Sequence, residues 1–321
     1  MMPSPLLSLL LALASGPASA HLQEPAGEEV VVPDGPGEVV TLYHENGKRA
    51  RIGRIHLGRR HGLWRGWFPN GKKNYEGAFE NYARVGEWSY WRADGTPQSK
   101  GSWKNGQRDG EWLFWHTDGG PVRERSGYLL GQRHGDFEAW FQNGEPQAKG
   151  AYSLGLKVGE WVNFDVDGNR MATGRFDRGM KQGLWVRYFP GGQKKFEGEF
   201  LRDKEHGSWT YWHENGQVEG RGRYAEGTPM GSWAGWFDNG QRKYECAYVN
   251  GKKHGRYVEW FKNGQKKVET TLAAGRLEGE VVFFTSDGTI DEKNTGKYVN
   301  GKMDGGKGGG ERPGSGVRKN G

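Results

Sequence analysis

Large apolar side chains recur along this sequence at fixed offsets from a glycine, and the glycine itself recurs about every 24 residues. Glycines that open a Gly-x-aromatic unit stand at Gly62, Gly86, Gly110, Gly135, Gly159, Gly183, Gly207, Gly231, Gly255 and Gly279, spaced by 24 except for one step of 25. A weaker copy precedes them from Gly37 to Gly53, and a degenerate end follows at Gly301 and Gly305. Two positions after each opening glycine (the +2 column) the chain reads Trp64, Trp88, Trp112, Phe137, Trp161, Trp185, Trp209, Trp233, Tyr257 and Val281. The +5 column reads Trp67, Trp91, Trp115, Trp140, Phe164, Tyr188, Trp212, Trp236, Trp260 and Phe284. Such a fixed period is the mark of a repeat architecture in which each unit buries its apolar side against its neighbours.

Between these columns lie turn signals. Asn-Gly or Asp-Gly pairs, such as Asn70-Gly71, Asp94-Gly95 and Asn263-Gly264, follow the +5 residue, and a second glycine stands near +20, as in Asn105-Gly106. Both residues of such pairs tolerate the positive φ of tight hairpins. No apolar period of 3.6 residues survives, and glycine falls too often for helix. The expected fold is therefore all-β: an elongated single-layer antiparallel sheet of stacked hairpins over residues 38–305. About 20 strands at 4.8 Å spacing would extend it to roughly 100 Å.

The register has two solutions. A two-residue turn at Asn70-Gly71 puts Trp64 opposite Gly77 and Gly62 opposite Phe79, each large ring over a residue without a side chain. Pro69 and Pro190, just before the turn pair, instead suit a type I turn with a glycine bulge, which shifts the pairing by one and changes which aromatics share a face.

Composition changes the picture at the ends. Residues 1–20 carry no charged side chain, hold the apolar run Leu6–Ala14 and finish Ala18-Ser19-Ala20. This is a secretory signal pattern, too short for a membrane span, with cleavage expected after Ala20 and a secreted or periplasmic destination. Residues 21–37 read as a flexible N-terminal segment and 306–321 as a glycine-rich disordered tail. The net charge of +7 is modest for 321 residues. It permits attraction to acidic surfaces without requiring it.

The run Tyr-x-Glu-Asn-Gly-Lys at 43–48, and Trp-Phe-x-Asn-Gly-Gln-Lys-Lys with its spacing to Gly-x-x-x-Gly at 260–279, resemble the variant MORN repeat, a bacterial type linked to antitoxins. The resemblance spans about residues 38–305. It implies stacked antiparallel hairpins used for protein–protein contacts, sometimes for lipid contacts, with no inherited catalytic residue. The antitoxin link would imply neutralising a partner toxin, which sits poorly with an exported chain.

No nucleophile elbow, zinc-protease motif or phosphate loop is present. Histidines His61, His134, His206 and His254 share the slot before an opening glycine and read as polar turn residues, so no metal or cofactor is expected. The single Cys246 reads as a small buried residue in a glycine slot. Carboxylates Glu76, Glu197, Glu245 and Glu269 recur at +14 and suit cross-strand partners for lysine better than acid catalysis. Two sets are candidates for binding. One is the aromatic row Trp67, Trp91, Trp115, Trp140, Trp212, Trp236 and Trp260. The other is a basic stripe represented by Lys73, Lys194, Arg242 and Lys266.

The expected role is an exported, non-enzymatic scaffold for an unidentified protein partner. The alternatives are an envelope module for glycan or anionic lipid, using exposed tryptophan and the basic stripe, and an antitoxin-like neutraliser. Neither nucleic acid nor a transmembrane segment is expected.

Overall fold

The computed structural model describes residues 31–304; the leader at 1–20 and the tail from 306 lie outside the described residues. Twenty-three strands form one open antiparallel sheet in which each pairs with its neighbours in the chain. Helix is absent from the described residues. Before the first strand, Glu38–Tyr43, residues 31–37 run irregularly. There the carbonyls of Val31 and Pro33 accept hydrogen bonds from Arg65 and Arg54.

Each copy is a longer and a shorter strand, as in Arg59–Trp67 and Lys73–Glu80. Both expected registers prove partly right. Phe68 accepts from the Gly71 N–H and its own N–H reaches Lys72 O, both at 2.8 Å. With Gly71 at φ 91°, this is the type I turn with a glycine bulge that proline favours. It does not flip the faces, because Asn74 forms a second bulge between Trp67↔Lys73 and Gly66↔Tyr75. Two one-residue slips cancel, and Trp64↔Gly77 and Gly62↔Phe79 stand as the simpler turn requires. The 25-residue step is absorbed at the same edge. Trp115 pairs with Val122 across one extra turn residue, and Trp112↔Ser126 keeps the core in line.

The second turn is two residues with both φ positive, as at Asn105 (50°) and Gly106 (77°). Two copies lack glycine there: Tyr82 (φ 71°) donates its hydroxyl to Gly58 O, and Asp203 (φ 66°) accepts from the Lys181 N–H. Bonds to the preceding copy offset the left-handed strain. The opening glycine has its own cause. Between Ala78↔Val85 and Gly77↔Trp88 two extra residues, Gly86 and Glu87, bulge from one strand, with Gly86 at φ 64°.

The core lies on one face. The +2 residues are buried, Trp112 at 0% exposure and Trp64, Trp88 and Trp161 at 1%. Among the described residues no second layer covers them; neighbouring rings do. Phe79 meets Trp88 edge-on at 4.9 Å, Phe176 meets Trp185 at 5.0 Å, and Tyr90 stacks beside Trp88 at 5.7 Å. Six of the seven indoles in this column are also anchored by their N–H, such as Trp88 to Ala78 O at 3.0 Å and Trp112 to Ser102 O at 2.9 Å, while that of Trp233 is buried without such a bond. The ring over each glycine belongs to the following copy. A Cβ on Gly77 would lie 2.1 Å from Trp88, and one on Gly53 would lie 2.3 Å from Trp64.

Copies are also tied at the turn edge. Asn239 Nδ2 donates to Lys262 O at 2.9 Å, while its Oδ1 accepts from the Gln241 N–H at 3.1 Å. Asn46, Asn70, Asn143, Asn215 and Asn263 repeat the inter-copy bond. Asn239→Ala should cost about 1 kcal/mol in chemical denaturation, and Asn239→Asp should lose the inter-copy bond while keeping the local one.

Candidate interaction face

Alternation along the strand puts the +5 residue on the face opposite the core. Trp67, Trp91, Trp115, Trp140, Trp212, Trp236 and Trp260 are all half-buried there. Unlike the core rings, none of them stacks on another ring among the described residues; cations cover four of the seven, Trp67, Trp91, Trp212 and Trp236. Arg49 lies over Trp67 at 5.6 Å, Lys73 over Trp91 at 5.5 Å and Lys194 over Trp212 at 5.6 Å.

The two candidate sets occupy one lane. Trp67 pairs with Lys73, Trp236 with Arg242 and Trp260 with Lys266, while Tyr188 pairs with Lys194. Where the stripe is interrupted, the partner is Pro97, Val122, Pro146 or Val218. Ladder and stripe are thus a mixed apolar and charged row beside the first turn.

The stripe is electrically compensated. Because the second bulge restores parity, residues three apart on the same strand share a face. Lys73 therefore meets Glu76 at 3.3 Å, Lys194 meets Glu197 at 2.5 Å, Lys266 meets Glu269 at 2.6 Å, and Arg242 pairs with Glu245. The lysines expected across the strands thus lie on the same strand, and the cross-strand partners are arginines: Arg65 reaches Glu76 at 3.2 Å and Arg256 reaches Glu269 at 2.9 Å. Hydrogen bonds from Lys266 and then Arg256 hold the Glu269 carboxyl below its ordinary range. A depressed acid stabilises the fold above its unfolded pKa and loses that contribution as pH falls through the folded value. The pair is solvent-screened, so Glu269→Gln at pH 7 should shift stability by under about 0.5 kcal/mol.

Nε2 of His44, His116 and His213 donates to the carbonyls of Trp67, Trp140 and Trp236, at 2.9, 3.1 and 3.0 Å, joining adjacent copies. Among the described residues, His61, His134, His206 and His254 belong to no group of three metal-ligating side chains. Cys246 is buried opposite Trp233 in the glycine column, and burial pushes its thiol up to about 11 despite nearby Lys253. A disulfide reagent at pH 8 should therefore label Cys246 only as the chain unfolds; rapid labelling of the folded chain would contradict this burial.

Sequence reading missed a second cationic column, two residues before the opening glycine: Arg60, Arg84, Arg108, Arg133, Lys157, Lys181, Glu205, Pro229, Lys253 and Leu277. It keeps the 24-residue period, so the signal was available. Attention to the lysines after the first turn hid it. These side chains lie on the core face.

No helix among the described residues is long and apolar enough to cross a membrane. No curated protein matches the chain. Among solved structures it is similar to TcdB2-TccC3 without its hypervariable C-terminal region, at 11% identity and TM-score 0.16, over 83% of this chain and 16% of that one. It is similar also to the Photorhabdus luminescens Tc holotoxin pore, at 9% identity and TM-score 0.19, over 83% of this chain and 16% of that one. The chain spans only those fractions of their length, and at such TM-scores nothing about it follows from them. The family described as MORN repeat variant matches at residues 60–81 and 205–226, two segments that each cover one hairpin, its longer strand, first turn and shorter strand. These two matches, with hairpins of the same geometry recurring between them, support a MORN-repeat protein.

Proposed function

We propose that this protein is an exported, non-catalytic scaffold that binds another protein along its outward aromatic row. The observation that carries this reading is the half-exposed +5 column, repeated copy after copy with its lysines already paired. Aromatic rings in partly apolar surroundings are the usual anchors of protein interfaces. The pairing of Lys73, Lys194, Arg242 and Lys266 weakens the rival in which this stripe draws the chain to anionic lipid, since that attraction needs uncompensated charge. Neutralising a toxin would be one case of the same binding.

The test is a pull-down from the native envelope with the mature chain, residues 21–321, at low and high salt. Recovery of one stoichiometric protein that survives high salt is expected. Recovery of lipid or polysaccharide alone, lost at high salt, would overturn the proposal.

A further inference from the structure

The core face carries its own chemistry. Arg60, Arg84, Arg108, Arg133, Lys157 and Lys181 occupy the same position in six consecutive longer strands; Arg60 faces Ile55, and each of the other five lies directly across from an aromatic residue of the preceding strand. The pairs include Phe79↔Arg84, Trp103↔Arg108, Tyr128↔Arg133, Tyr152↔Lys157 and Phe176↔Lys181. Their charged ends sit over the core rings, Arg108 at 4.4 Å from Trp112 and Lys157 at 4.0 Å from Trp161. Cross-strand cation–aromatic contacts explain why cations are tolerated there. They do not explain why charge is left over.

On the outward face the stripe lysines and arginine have carboxylates. Along this row, among the described residues, only Arg133 does, with Glu124 at 2.6 Å. Half-buried like charges in file repel, and desolvation followed by the Arg133 charge pushes the Lys157 amine below its ordinary pKa. The row ends sharply at Glu205 and Pro229 before Lys253 resumes it.

Spacing narrows the partner. Successive cations are two strands apart, about 9.6 Å. A polyproline-type helix rises about 9.3 Å per turn of three residues, so every third side chain faces the same way at nearly this interval. The rings are packed edge-on and capped by the cations, so their faces are not open for base stacking of single-stranded nucleic acid. We infer that the core-face row Arg60–Lys181 is a docking track for an extended acidic peptide, polyproline-like, with a carboxylate at every third residue. This track lies on the face opposite the outward aromatic row and does not rest on that row's function.

The test uses fluorescence anisotropy with the mature chain and a labelled peptide of six Glu-Pro-Pro units. A control peptide has the same composition with its glutamates in one block. Regular spacing should bind at least about tenfold tighter than the block, or about 1.4 kcal/mol, since only the regular peptide can place its carboxylates along the whole row. The combined Arg84→Gln, Arg108→Gln and Lys157→Gln change should weaken binding by a similar factor. The matched outward change, Lys73→Gln, Lys194→Gln and Lys266→Gln, should leave it within twofold. Because the first variant removes ring caps and can fail to fold, the decisive second variant is a gain. Glu205→Lys with Pro229→Lys joins the row to Lys253 and should tighten a nine-unit peptide severalfold. Equal affinity of the two peptides, no gain from joining the row, or preferential binding of polyuronate or single-stranded DNA would each overturn the proposal.

Discussion

Trp112→Ala is expected to cost about 3–5 kcal/mol, the range for removing a fully buried aromatic ring. Trp112 is 0% exposed and meets Trp103 edge-on at 5.4 Å, Phe114 at 5.9 Å and Tyr90 at 6.3 Å. It also donates its indole N–H to Ser102 O. A single-layer sheet has no second layer to collapse into the vacancy, so the cavity should persist as exposed ring surface. Stability in such arrays is a sum of neighbour terms. The damage should therefore appear as fast amide exchange confined to the flanking strands, with distant copies protected. The matching change in the outward row, Trp115→Ala, should cost much less because that ring is half-exposed and stacks on no other. Equal losses from the two would contradict the division into core and outward faces.

Gly174→Val is expected to be the next most damaging, since its Cβ would lie 2.2 Å from Trp185. Overpacking normally costs about 1–3 kcal/mol, and a rigid indole held by Arg175 O at 3.1 Å has little freedom to retreat. The chain itself shows the permitted alternatives. Glycine stands in this column wherever the next copy offers tryptophan, as in Gly77 with Trp88, Gly101 with Trp112 and Gly222 with Trp233. Where the column holds Ser126, Cys246 or Thr270, the next copy offers Phe137, Tyr257 or Val281. Small and large trade places across the strands. Gly174→Cys with Trp185→Tyr should thus regain about 2 kcal/mol relative to the sum of the single changes, a coupling expected of residues in contact. Strict additivity in urea denaturation would show that the pairing is incidental.

That trade was written in the sequence, yet it could be read only once the register placed residue +15 of one copy beside +2 of the next. Gly62, Trp64 and the Asn-Gly pairs announced the period and the all-β fold, because turns and core rings leave fixed signatures. Faces were harder. They depend on the parity of bulges, and Asn74 carries no mark that distinguishes a bulge from a strand residue. The same bulge decides whether Lys73 and Glu76 meet, so the compensation of the basic stripe was equally hidden. The core-face cations were legible at Arg60, Arg84 and Arg108, but only their placement over rings separates them from solvated lysines.

The most direct test of the scaffold reading is the affinity of the captured partner for a chain carrying Trp91→Ser, Trp115→Ser and Trp140→Ser together. These half-buried rings lie on the outward face, so the variant should unfold close to the parent. It should bind about 100-fold more weakly, or roughly 2.7 kcal/mol. Unchanged affinity in a folded variant would contradict the proposal that the outward aromatic row is where this protein meets its partner.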